Sequence, residues 1–284
     1  MERKNIKFYI LGFLFIVASL VLTAVFSTER GGVLTVNFFD VGQGDAIFIE
    51  FWDSQILIDG GPDKKILEKL SKEMPFWDRT IDAVILTHPD PDHLNGILEV
   101  LKRYKVNKFF YSGEVLDYLK NNGINIVEDN KAEKIKAQAG QQIIFGKEGK
   151  IDILYPFFDF LQKGSDFNKS SVVCRLVFGK TSFLLTGDAP KSIEHELLAK
   201  QSMIKSDVLK IAHHGSNTSM DEYFFKEVFP KTAVISVGKD NKFGHPHGEV
   251  LNLLSKNAVK ILRTDEAGDI KIISDGDKYW LENK

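Results

Sequence analysis

The sequence predicts an α+β fold in which two β-sheets pack face to face with helices outside, behind one N-terminal membrane-spanning helix. Three observations predict it. An uncharged run opens the chain, short β-rich runs mix with isolated amphipathic stretches rather than in strict βαβ order, and two stretches repeat one another's pattern. At 284 residues, 43% apolar and 27% charged, the composition is ordinary for a globular protein and excludes disordered and fibrous classes.

The opening run, FYILGFLFIVASLVLTAVF from Phe8 to Phe26, carries no charge. As a helix it is ~28 Å long, close to the hydrocarbon thickness of a bilayer. Arg3, Lys4 and Lys7 precede it, so the positive-inside bias keeps the N-terminus cytoplasmic and sends everything after Thr28 across the membrane. The rival, a cleaved signal peptide, needs a shorter apolar core of ~7–15 residues and a small-residue cleavage site. Residues 1–30 are therefore expected to be a cytoplasmic stub and transmembrane anchor, with the signal peptide as alternative, and residues 31–284 an extracytoplasmic domain. Without Arg3, Lys4, Lys7, Arg30, Glu2 and Glu29, that domain keeps 33 basic against 37 acidic residues, net −4. It lacks the overall basic footprint of a tight nucleic-acid binder. Cys174 is the single cysteine, which excludes an intramolecular disulfide and a cysteine-rich zinc cage; in VVCRLVF it is expected to pack as a small apolar residue.

From Val33 onward VLTVNFF, AIFIEF and QILIDGG read as strands, DKKILEKLSKE as an amphipathic helix and AVILTH as a strand. Later, VVCRLVFG and TSFLLTGDAP lead to the helical KSIEHELLAK and then to DVLKIAHH. ILIDGGP, helix, AVILTH thus matches FLLTGDAP, helix, VLKIAHH in order, length and placement of polar residues. Two copies are too few for a solenoid; they suggest two similar β-rich halves facing one another across one core. Residues 105 to 165 add short strands and Lys-rich turns without a chemical signature.

The chemistry concentrates in LTHPDPDHLNG, residues 86–96. A strand runs into a helix whose apolar face is Leu94, Ile97, Leu98 and Leu101. Asp90 fits an N-cap and Pro91 the first helical position, which accounts for Asp90 but not for His88, Asp92 and His93 crowded at the same junction. A divalent cation removes the conflict, because neutral imidazoles and carboxylates are its ligands and its charge offsets the acids. The other half offers Asp188 in LLTGDAP and His213 and His214 in LKIAHHGSNTS at matching strand ends. Nothing resembles a Ser-His-Asp elbow, and Gly42 and Gly44 in VGQGDA read as a hairpin turn rather than a dinucleotide motif.

The order FFDVGQGDAIFIE, ILIDGG, LTHPDPDHLNG, FLLTGDA, LKIAHHGSN and SVGKDNKFGHPHGEVL closely resembles the metallo-β-lactamase superfamily, and within it the soluble domain of the ComEC competence-channel family. The resemblance runs from Leu34 to about Asp275. It implies a four-layer αββα sandwich with two divalent metal ions at one edge, between the halves. It also implies that His88, Asp90, Asp92 and His93 form the metal loop, with Asp92 also in the catalytic set, that Asp188 is the bridging carboxylate, His213 the last metal-binding histidine and Asp59 a supporting acid. Two departures stand out. Asp90 replaces a histidine of the wider superfamily, and no histidine occurs between His93 and His195, so one ligand before Asp188 is missing; Asn168 or Ser171 is the expected stand-in. The site of Asp92, His93, Asp188 and His213 is then ordinary for Zn²⁺. The site of His88, Asp90 and Asp188 is oxygen-rich, suits Mn²⁺ better and binds more weakly.

His245 in GHPHGE is expected to face the site, holding a substrate oxyanion or protonating a leaving group, with His214 as competitor; His195, mid-helix, is expected at the surface. The function that the resemblance implies is a phosphodiesterase or nuclease acting on DNA, beside the DNA-uptake machinery; the apolar N-terminal run makes it membrane-anchored and extracytoplasmic, and the net charge of −4 leaves Lys169, Lys239 and Lys242 as the expected basic rim. A metal hydrolase of a β-lactam, a lactone or a cell-wall phosphodiester is the alternative. A non-enzymatic binding module is disfavoured, because the ligands span both halves in full order.

Overall fold

The computed structural model describes residues 3–29, 32–113, 115–157 and 166–282, in two units, Met1–Val33 and Leu34–Lys284. The first holds helix α1 (Arg3–Glu29). Its stretch Ile6–Thr23 is long and apolar enough to cross a membrane.

The second unit begins with β1 (Leu34–Phe38), β2 (Ile47–Phe51), β3 (Ser54–Ile58), α2 (Lys65–Glu73), β4 (Thr80–Leu86), α3 (Pro91–Leu101), β5 (Lys105–Tyr111), α4 (Val115–Asn121), α5 (Ile126–Asp129) and β6 (Glu133–Lys136). It continues through β7 (Gln142–Phe145), β8 (Gly149–Tyr155), β9 (Val173–Phe178), β10 (Thr181–Leu185), α6 (Lys191–Ala199), β11 (Val208–Lys210), α7 (Glu222–Val228) and β12 (Thr232–Ile235). It ends with α8 (Gly248–Lys256), β13 (Lys260–Arg263), α9 (Thr264–Ala267), β14 (Ile270–Ser274) and β15 (Tyr279–Leu281). One eight-stranded sheet has the order β15-β14-β1-β2-β3-β4-β5-β6, and a seven-stranded sheet the order β13-β12-β11-β10-β9-β8-β7.

Both faces of each sheet are covered, so the central strands are apolar on both sides. Ile56 and Ile58 of β3 and Ile85 of β4 point between the sheets, against Ile151, Cys174, Leu176, Phe183 and Leu185 of the facing sheet. Leu57, Val84 and Leu86 point outward beneath α2 (Ile66, Leu70) and α3 (Leu94, Ile97, Leu101). On the far side Leu184, Leu209 and Ile235 lie beneath α6 (Ile193, Leu197), α7 (Phe224) and α8 (Leu254). The layers are therefore helix, sheet, sheet, helix. Cys174 is fully buried, as its apolar surroundings dictate.

The repeated pattern corresponds to two parallel βαβ units. β3 and β4 run parallel with α2 between them, and β10 and β11 run parallel with α6 between them. In such sheets ligands sit beyond the carboxyl ends of the strands. Residues 105–157 extend both sheets through β5 to β8, with α4 and α5 as two short helices that lack a clear apolar period in sequence.

Candidate metal centre

Asp59 follows β3, His88 follows β4, Asp188 follows β10, and His213 and His214 follow β11. The two βαβ units thus deliver their polar ends to one rim. Glycines let the loops close on each other. A Cβ on Gly44 would lie 2.1 Å from the Asp92 carbonyl oxygen, and one on Gly96 would lie 1.8 Å from that of Gly60. The backbone fills those close approaches with hydrogen bonds: Asp45 N–H donates to Asp92 C=O (3.3 Å), Gly60 N–H to His93 C=O (2.8 Å) and Gly61 N–H to Asp45 C=O (2.8 Å). The turn VGQGDA, the DGG turn and the start of α3 are laced together, which fixes Asp92 and His93.

Three imidazoles are held from behind. His93 Nδ1 lies 2.7 Å from Asp59 Oδ2, which also accepts from Thr87 Oγ1 at 2.7 Å. His88 Nδ1 lies 3.0 Å from Thr87 Oγ1; since that hydroxyl already donates to Asp59, it accepts from the ring. His214 Nδ1 donates to Ser236 C=O at 2.9 Å. Each ring is thereby set with its proton on Nδ1 and its Nε2 lone pair forward. All three Nε2 atoms are buried and take no hydrogen bond among the described residues, and neither does Asp188 Oδ1.

Those atoms converge on the carboxylates. His214 Nε2 is 3.3 Å from Asp92 Oδ2 and 3.4 Å from Asp188 Oδ2, His93 Nε2 is 3.4 Å from Asp188 Oδ1, and His88 Nε2 is 3.5 Å from Asp90 Oδ2 and 3.8 Å from Asp188 Oδ2. Two ligands at ~2.0–2.1 Å from a tetrahedral ion are about 3.3 Å apart. His88, His93 and Asp188 offer ligand atoms within 4.8 Å of one another, as do Asp92, His93 and His214. The residues present fit a divalent cation. The electrostatics agree: burial opposes charge on His93 and His214, yet Asp188 and the other carboxylates outweigh it and hold both well above the ordinary imidazole range. Burial likewise opposes charge on Asp188, but the two imidazoles hold it well below the usual carboxylate range. Such a cluster draws positive charge to one point, and a metal can take the place of those protons.

Several sequence expectations are rearranged. Asp90 is the N-cap residue of α3 and Pro91 its first residue, but the Asp90 side chain makes no capping bond; it faces His88 instead. His213 is expected among the metal ligands and His214 near the substrate; the structure sets His214 the deeper of the two. His214 is buried within the cluster, whereas His213 stands at the rim, its Nε2 3.9 Å from Asp188 Oδ2 and its Nδ1 2.9 Å from Thr218 Oγ1. The cause is local backbone. His213 and His214 both have positive φ, 50° and 54°, a conformation that non-glycine residues adopt at a cost and that recurs at functional sites. Ser171, one expected stand-in for the missing histidine, accepts the Asp188 N–H at its Oγ (3.2 Å), which lies 3.4 Å from His88 Nδ1. The buried Oδ1 of Asn168 takes no hydrogen bond among the described residues.

His245 stands beside the rim, with its ring 5.6 Å from that of His213 and 6.4 Å from that of His214. Asn241 grips it by both backbone groups, accepting its N–H and donating to its C=O. Burial, with His214, His213 and His247 nearby, pulls its imidazole down to about 4. His195 is exposed and pairs with Asp221 at 3.1 Å. Lys169 pairs with Asp166 at 3.3 Å, and Lys239 and Lys242 are exposed.

Sequence reasoning passed over Asp45 and Lys210. Both are fully buried and 2.9 Å apart, with Asp45 Oδ1 3.4 Å from His214 Nδ1. Burial opposes the charge of Asp45, but Lys210 and His214 outweigh it and hold the carboxyl below its usual range. The available signal was an acid in VGQGDA and a lysine in VLKIAHH, each inside an otherwise apolar run.

The family described as the Metallo-beta-lactamase superfamily matches residues 39–239. ComE operon protein 3 of Bacillus subtilis is 33% identical over 263 residues, 83% of this chain and 32% of that protein. Competence protein ComA of Neisseria gonorrhoeae is 30% identical over 245 residues, again 83% of this chain and 32% of that protein. The chain thus spans about a third of the length of these curated relatives. Among solved structures, the metallo hydrolase Igni18 of Ignicoccus hospitalis superposes with a TM-score of 0.55 at 18% identity, over 84% of this chain and 98% of that one, a likeness of fold.

Proposed function

This chain belongs to the metallo-β-lactamase superfamily and is a metallo-hydrolase related to the competence proteins, and from that premise we propose that it cleaves phosphodiester bonds of DNA outside the cytoplasm, anchored by α1. The observation that carries this reading is the convergence of His88, His93 and His214 Nε2 on Asp92 and Asp188, with both halves of the fold contributing. A phosphodiester anion suits two adjacent cations, and the two curated relatives are a competence protein and a product of the ComE operon.

Asp92, His93, Asp188 and His214 would hold one metal; His88, Asp90 and Asp188, with His213 at the rim, would hold the second. Bound cations supply Lewis acidity and lower the pKa of water toward neutrality. Asp59, Thr87 and Ser236 keep the ligand rings in the tautomer that coordinates. His245, at the open side, donates a hydrogen bond to the departing oxygen of the substrate. The second position is poorer in nitrogen, and oxygen donors suit Mn²⁺ better than Zn²⁺. Attraction for DNA at net charge −4 is local and salt-sensitive, with Lys239 and Lys242 beside His245 in sequence as its source.

The test uses the full-length chain in detergent, stripped of metal, with single- and double-stranded DNA and added Mn²⁺ or Zn²⁺. Wild type should cut, best with Mn²⁺, and Asp92→Ala and Asp188→Ala should not. No cleavage together with turnover of a β-lactam, a lactone or a cell-wall phosphodiester moves the assignment to the rival hydrolase.

A further inference from the structure

Five of the large exposed apolar side chains of the second unit lie at one end, whereas Phe243 is exposed beside His245 at the other. Trp52 lies in the β2–β3 turn, and Phe76 and Trp77, 81% and 73% exposed, stand edge to face in the α2–β4 connection with ring centroids 4.8 Å apart. Met203 and Phe229, also exposed, lie just before β11 and β12. All five sit where the parallel strands begin, and the His/Asp cluster sits where those strands finish. Both sheets meet at this end: Phe51, next to Trp52, packs on Phe178 of the facing sheet at 4.9 Å. Single exposed apolar residues are ordinary on a protein surface, but a gathering at one end marks an interaction site.

The chain itself identifies the partner. Leu34, the first residue of β1, pairs with Phe51 and so enters the domain at this end. Residues 30–33 alone separate it in sequence from Glu29, the last residue of the apolar helix. Tryptophan and other amphipathic aromatics favour the lipid–water interface, where an apolar ring body and a polar N–H are both satisfied.

We propose that this end of the domain rests in the lipid headgroup layer, with Trp52, Phe76, Trp77, Met203 and Phe229 at the interface and the His/Asp cluster turned toward the aqueous phase. The proposal rests on the membrane-anchored reading above. It gives the site a fixed aspect: substrate arrives from solution, away from the lipid.

The chain has three tryptophans, Trp52, Trp77 and Trp280, which makes the orientation measurable. Full-length variants keeping only Trp52, only Trp77, or only the indole introduced by Phe243→Trp beside His245, with the other tryptophans changed to Phe, are reconstituted into phosphatidylcholine vesicles with brominated acyl chains. Flotation establishes association with the vesicles, and metal binding establishes that each variant is folded. The indoles at 52 and 77 should be quenched several-fold more than the one in Phe243→Trp. Equal quenching at all three, or none at 52 and 77 in protein that floats, overturns the docking end. Failure to float overturns the anchored reading instead, and the docking end with it.

Discussion

Lys210 has no exposed surface, and its ammonium reaches Asp45 Oδ2 and the Ile211 carbonyl oxygen, each at 2.9 Å. A buried pair of this kind contributes little net stability, but removing one partner leaves the other charge unpaired and costs roughly 3–5 kcal/mol. Lys210→Met should therefore destabilise the domain by about that much in urea unfolding, and Lys210→Met with Asp45→Asn should recover most of the loss. No recovery in the double variant would mean that the lysine acts through packing instead. Asp59 works at the same scale with a different readout. It accepts from the Thr87 backbone N–H (2.8 Å) and hydroxyl and faces His93 Nδ1. Asp59→Asn keeps the volume but weakens the grip on the ring, so metal affinity should fall by about 10–100-fold. Competition with a chromogenic chelator measures this, and an unchanged affinity would remove Asp59 from the support of the centre.

At the scale of elements, α6 and α7 are joined by one side chain. The buried carboxylate of Glu194 in α6 accepts the backbone N–H groups of Met220 (2.8 Å) and Asp221 (2.6 Å), and Asp221 in turn caps α7. Burial pushes Glu194 from its usual 4.5 up to about 7 despite those donors. Between these values the folded chain keeps a proton that the unfolded chain has released. The stability from this group is thus fully present below 4.5 and lost as pH rises through about 7. The difference in urea midpoint between wild type and Glu194→Gln should drift across about pH 4.5–7 and flatten above it; a constant difference would contradict the raised value. Nothing in KSIEHELLAK announces this role, because the partners lie 26 and 27 residues on. The same limit explains the rest of the comparison. The strands AVILTH and FLLTG and the helix of Leu94, Ile97 and Leu101 were legible because side-chain period is local. The return of β14 to pair with β1, Leu34 against Ser274, leaves no local mark. The candidate ligands were legible as residue types at strand ends. Which of His213 and His214 points inward was not, because two successive positive φ angles decide it.

For the whole molecule, the consequence of the αββα plan is that the cluster joins its halves. His88 comes from the loop between β4 and α3 and Asp92 and His93 from the first turn of α3 in one sheet's half, and Asp188 and His214 from loops after β10 and β11 in the other. Each half brings acids whose mutual repulsion grows as they approach, and among the described residues the imidazoles and Lys210 oppose it there. A ligand that binds the folded state alone stabilises it by RT ln(1 + [L]/Kd), about 2.7 kcal/mol at a concentration of 100 Kd. Adding Mn²⁺ or Zn²⁺ to the stripped full-length chain should therefore raise the melting temperature of the domain, by an amount that grows with the logarithm of metal concentration, and a chelator should reverse it. Asp188→Ala removes the carboxylate that faces all three Nε2 atoms, so it should abolish the rise. Lys239→Ala, at an exposed residue that is not among the candidate ligands, should leave it intact. A metal-induced rise of equal size in Asp188→Ala would place the bound ion elsewhere on the chain and separate the metal from the cluster.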